Sequence, residues 1–216
     1  AVVAITLLGR AAAAMWAGHP AATLDKPNII LIGIDSLRQD IPLRDQSLTP
    51  NVDAFLKDAV RFDDAITPLA RTFPSWVSLL TGRDPQTTGA YVNLIPRNLI
   101  HTGETLPQRL RRAGYTTQYA IDEVRFSNID TSYGFDRAVT PKIGASDFVL
   151  GTLNDTPLSN VVANTRLGAW LFPNTHANRA AANTYDPDTF VERIQHEFQF
   201  SKGPTFCAVH LTLPHW

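Results

Sequence analysis

The sequence predicts an α/β fold: a mostly parallel sheet with helices on both faces. Three observations predict it. Asn28 to Ile34 is an almost unbroken run of Ile, Leu and Gly, as expected of a strand covered on both sides. Thr116 to Ile121 and Thr205 to Leu211 are two further apolar runs of strand length. Stretches with helical spacing lie between the three.

Thr49-Pro50-Asn51 opens a helix expected to reach about Ala59, with Val52, Phe55 and Leu56 on one side. Val60-Arg61-Phe62 reads as a short strand, and Asp63 and Asp64 as a solvated turn. Thr72 to Arg83 reads as one short helix. Pro74 suits its first turn, Val77, Leu79 and Leu80 give it apolar surface, and Gly82 is the stop. Thr72 then sits at the positive end of the helix. There it is either an ordinary cap or a reactive hydroxyl whose alkoxide, or a bound anion, the helix end favours.

Gln86 to Leu99 is a polar loop, followed by His101 at the surface. Thr105 to Tyr115 is a helix with a glycine stop, and its three arginines form a wet face. The stretch from about Gly144 to Asn178 reads as an insertion or lid packed by Trp170, Leu171 and Phe172. Pro187 to about Phe200 is a helix with Phe190, Ile194 and Phe198 as its buried stripe and His196 facing solvent. His210 is expected within the last strand or at its edge.

The chain has 216 residues, 44% of them hydrophobic, enough for a real core. A net charge of −1 and no basic tract argue against a nucleic-acid partner. Cys207 is the single cysteine, so an internal disulfide is excluded, and its apolar strand context makes it a core residue. Residues 1–18 read as the end of a membrane helix or a signal segment, with an Ala-rich amphipathic helix as the alternative. Arg10 interrupts the apolar run, which is shorter than the roughly 20 residues a span needs. Residues 19–27 read as a linker.

Ser75, Leu80-Thr81-Gly82-Arg83, Pro85 and Gly89 resemble the signature Cys/Ser-x-Pro-Ser-Arg-x-x-Leu-x-Thr-Gly-Arg-x-Pro-x-x-x-Gly of the sulfatase family, within the alkaline phosphatase superfamily. Lys26 to Asp35 resembles that family's first strand and first metal ligand. Thr49 to Asp53, Val60 to Phe62 and Tyr133-Gly134-Phe135-Asp136 match further segments in order, so the resemblance runs from about Lys26 to Trp216. It implies that residues 28–216 are the N-terminal part of a sulfatase-like catalytic domain, truncated at the C-terminus and inactive as a fragment.

By this resemblance Thr72 stands where the family carries the Cys or Ser that becomes formylglycine, and it is the implied nucleophile. Asp35 and Thr72 are the implied ligands of one divalent cation, Ca²⁺, Mn²⁺ or Mg²⁺. His215, in the segment where the family has His-x-x-x-Pro-His, is the implied proton donor to the leaving oxygen. Ser36, Trp76, Asp122 and Val124 depart from the usual Asp, Arg, Lys and His. Asp122 is therefore expected beside the substrate, with Arg125 supplying the missing positive charge.

The implied activity is metal-dependent hydrolysis of an anionic phosphate or sulfate ester through Thr72. Two alternatives stand beside it. One is a membrane-anchored phosphoethanolamine- or phosphoglycerol-type transferase; the other is a binding module with a degenerate site. The expected location is the inner membrane, with the domain on the periplasmic side.

Overall fold

The computed structural model describes residues 26–42, 48–93, 95–124, 127–141, 161–162, 164–171, 176, 186–200 and 203–213. The readings made for residues 1–18, for Arg125 and for His215 lie outside them. Among the described residues no helix is long and apolar enough to cross a membrane.

Among the described residues four strands form one sheet: β1 (Ile29–Ile34), β2 (Thr116–Ile121), β3 (Arg137–Val139) and β4 (Thr205–Leu211). Their order across the sheet is β1-β4-β2-β3, and every pairing is parallel. The predicted α/β class with a parallel sheet is therefore present. β3 was not expected from the sequence; three residues are too few to show a period.

Side chains alternate across the sheet, so each strand feeds two cores. On one face Tyr119, Ile121, Phe206 and Ala208 meet Phe73, Trp76, Val77 and Leu80 of helix α2 (Thr72–Thr81). On the other, Ala120, Val139, Cys207, Val209 and Leu211 meet Phe190 and Ile194 of helix α6 (Pro187–Glu197), together with Phe198. Phe73, Val77 and Leu80 are fully buried. Burial of that kind stabilises by about 1.5–3 kcal/mol per side chain, as an upper bound.

Further α-helices among the described residues are α1 (Pro50–Leu56), α3 (Pro85–Thr88), α4 (Leu106–Arg112) and α5 (Arg166–Leu171). Thr105 caps α4 in a capping box with Gln108. The arginines of α4 are exposed as predicted, and each holds an acid: Arg109 and Arg112 pair with Glu104, and Arg111 with Asp136.

Several expectations are corrected. β1 is not covered on both faces: Ile30 and Ile32 are 41% and 45% exposed, and β1 stands at the edge of the sheet that the described strands form. Val60-Arg61-Phe62 is not a strand. Its apolar alternation finds no pairing partner among the described residues, and Val60 and Phe62 are exposed. α1 ends at Leu56, and Phe55 points to solvent. Trp170 on α5 is 77% exposed and packs no core.

Candidate active site

Parallel strands direct their carboxyl ends to one edge of the sheet, where ligands of open α/β folds bind. β1 delivers Asp35 to that edge, and the Asp35 N–H is held by the Leu211 carbonyl at 2.9 Å. Ser36 follows with φ 58°, a left-handed conformation uncommon outside glycine, and its Oγ lies 3.3 Å from Asp35 Oδ1. The chain thus turns sharply just past the carboxylate.

Helix α2 brings Thr72 to the same place. Arg71, not Thr72, is its N-cap, so Thr72 is the first helical residue and its hydroxyl is not used for capping. Asn93 Oδ1 instead accepts the Phe73 N–H at 3.2 Å. Gly82 ends the helix as predicted, at φ 64°, with its N–H on the Ser78 carbonyl. Thr72 Oγ1 donates to Asp35 Oδ2 at 3.0 Å.

A cleft of about 540 Å³ opens over this pair, bordered by Ser36, Arg71, Asn93 and His210 among others. Trp76 forms part of its wall. The indole lies edge-on to Tyr119 and 4.9 Å from the His210 ring. It fits because Gly33 has no side chain: a Cβ there would stand 2.5 Å from Trp76 Cζ2.

His210 belongs to this site, a role the sequence reading did not give it. It lies within β4 paired with Gly33, on the α2 face, 1% exposed. Nε2 stands 3.9 Å from Asp35 Oδ2, beyond hydrogen-bond range. Burial pushes its pKa down to about 4, against the opposing pull of the Asp35 charge. At neutral pH the imidazole is therefore uncharged and forms no ion pair. The signal available in the sequence was parity: His210 falls in step with Phe206 and Ala208, which face α2.

Asp122 sits elsewhere. It is 1% exposed, does not border the cleft, and Oδ1 accepts the Thr212 N–H at 3.0 Å. That bond ties the end of β2 to the end of β4. Asp63 and Asp64 are exposed, as predicted for a solvated turn.

The donor set suits a hard divalent cation in kind. Asp35 and Thr72 present a carboxylate and a hydroxyl oxygen within 3.0 Å of each other. Such ions take about six oxygens. Among the described residues no group of three or more His, Cys, Asp or Glu could hold a metal ion.

The Sulfatase family model matches residues 27–216. The chain belongs to the sulfatase family. Curated members similar to it include the iduronate 2-sulfatases of Homo sapiens, 37% identical over 120 residues, and of Mus musculus, 35% identical over 117. These matches cover 53% and 52% of the chain and 21% of each relative. A sulfatase of Formosa agariphila is 34% identical over 103 residues, 43% of the chain and 20% of that protein. The matches thus take in about a fifth of each curated relative's length.

Among solved structures, Ps i-CgsB is similar with a TM-score of 0.55 and 21% identity, over 88% of the chain and 46% of that structure. Its complex with k-i-k-neocarrahexaose gives 0.57 over the same shares at the same identity. At that identity the likeness is one of fold. It agrees with the sheet and helices described above, and this sulfatase-family chain has its Thr72–Asp35 pair at the sheet edge where such folds bind ligands.

Proposed function

We propose that this sulfatase-family chain carries the nucleophile side of a metal-dependent hydrolase of anionic phosphate or sulfate esters, with Thr72 as nucleophile. The supporting observation is the hydrogen bond from Thr72 Oγ1 to Asp35 Oδ2. A hydroxyl that gives its proton to a carboxylate keeps its lone pairs free, and Asp35 Oδ2 is the atom placed to receive that proton as attack proceeds.

In the step proposed, Thr72 Oγ1 forms a bond to phosphorus or sulfur. The bond to the leaving oxygen breaks on the opposite side. The Thr72 proton passes to Asp35, and His215 returns a proton to the leaving oxygen. The threonine ester is then cleaved by water, or by a second alcohol in a transfer reaction. A divalent cation held by Asp35 and Thr72 would lower the hydroxyl's pKa and balance the charge of the reacting group. Threonine, with its extra methyl, is not the residue the family oxidises to formylglycine, so the route proposed is direct ester formation on the side chain.

The reading is tested on the intact gene product with p-nitrophenyl phosphate and p-nitrophenyl sulfate in the presence of Ca²⁺, Mn²⁺ or Mg²⁺. Nitrophenol release should depend on one of these ions, survive in part in Thr72→Ser and vanish in Thr72→Val. Activity indifferent to Thr72→Val would overturn it.

A further inference from the structure

Arg71 immediately precedes the proposed nucleophile and borders the same cleft. Its main chain is pinned: the N–H donates to the Leu69 carbonyl at 2.8 Å, and its carbonyl accepts the Ser75 N–H at 3.0 Å. Its side chain is not. Arg38, Arg61, Arg109, Arg111 and Arg193 each hold a carboxylate. Among the described residues the Arg71 guanidinium has no ion-pair partner, although Arg71 is exposed and borders the same cleft as Asp35.

The rest of the cleft offers an anion little. Ser75 Oγ donates to the Leu69 carbonyl, and Asn93, whose Oδ1 accepts the Phe73 N–H, offers only the neutral donors of its Nδ2. Asp35 is itself an acid. Of the described residues bordering the cleft, only Arg71 carries a permanent positive charge.

We infer that Arg71 is the substrate's anion grip: its guanidinium holds non-bridging oxygens of the phosphoryl or sulfuryl group that Thr72 attacks. The inference rests on the Thr72 reading and deepens it. The planar fork of five donors matches two oxygens of a tetrahedral anion, and a lysine at the same place would supply charge without the fork. A pinned backbone beside the nucleophile keeps the search of the long side chain local. The residue thereby selects esters that bear charge on the reacting group and gives neutral esters no such hold.

The test is an NMR titration of the intact protein with inorganic phosphate, and separately with inorganic sulfate. The readout is the Arg71 Nε–H signal, assigned by its loss in Arg71→Lys. That signal should shift and saturate with one of the anions. Arg71→Ala should weaken the same anion about tenfold or more, and Arg71→Lys by less. Thr72→Val should leave the Arg71 shift in place, so failure of the nucleophile reading and failure of this one are separable. An Arg71 signal unmoved by both anions, or Arg71→Ala binding them as tightly as the wild type, overturns the inference. Arg71→Ala removes no ion pair among the described residues, and the wild-type titration stands even if that variant misfolds.

Discussion

Thr72 Oγ1 and Asp35 Oδ2 lie 3.0 Å apart although 37 residues separate them in the chain. One ends a strand and the other begins a helix. Their meeting follows from α2 packing its Phe73, Trp76, Val77 and Leu80 face on the sheet beside β1.

The pair makes the first prediction. Thr72→Val keeps the shape of the side chain and removes the donor. Hydrolysis should fall by at least about 10³-fold, as for loss of a nucleophile. Stability should fall by only about 1.5–3 kcal/mol, the range for a bond to a charged group. Thermal unfolding alongside the kinetics separates the two effects. A variant that unfolds outright would point to a structural pair instead.

Gly33 tests the wall of the cleft. Gly33→Ala would place a methyl 2.5 Å from Trp76 Cζ2 in a buried contact. Overpacking of this kind costs about 1–3 kcal/mol. The expected result is a lower unfolding midpoint and altered tryptophan fluorescence. Wild-type stability would mean the indole can move away at no cost.

Asp122 distinguishes a fastening role from a substrate role. Asp122→Ala leaves the Thr212 N–H without its acceptor and should cost about 1–3 kcal/mol or more. Asp122→Asn keeps a carbonyl acceptor and should cost less. KM for an anionic ester should change little in Asp122→Asn. A large fall in KM with unchanged stability would return this residue to the substrate.

Cys207 gives a pH dependence. Burial pushes its thiol pKa up to about 12, from an ordinary 9.0. The folded state therefore favours the neutral thiol. Its contribution to stability is complete below about pH 9 and is lost as pH rises from there toward about 12. At pH 8, where the folded thiol is almost wholly protonated, iodoacetamide should label Cys207 far more slowly in the native protein than in urea. Equal rates would contradict its burial.

Much of this was legible from pattern. β2 and β4 showed as apolar runs, and the Phe190, Ile194 and Phe198 stripe named the buried face of α6. What pattern did not carry was partnership. Val60 to Phe62 alternates like a strand but pairs with no strand among the described residues. The approach of Asp35 to Thr72 followed from motif order, since no periodicity links positions so far apart. The site role of His210 is not visible in sequence, because a lone histidine in an apolar run is expected only as a strand residue. Its nearness to Asp35 comes from the β1–β4 register, which sets His210 beside Gly33. Arg71 is alike: its lack of an ion-pair partner among the described residues is a property of the fold, not of its neighbours in sequence.

The central claim is that an oxygen of Thr72 becomes covalently substituted. It is tested most directly by peptide mass mapping of the intact gene product after brief reaction with an activated aryl phosphate or aryl sulfate and an acid quench. The account predicts the peptide containing Thr72 heavier by one phosphoryl or sulfuryl group, with fragmentation locating it on that residue. Turnover that leaves Thr72 unmodified at every quench time, or the group found on another residue, would contradict it.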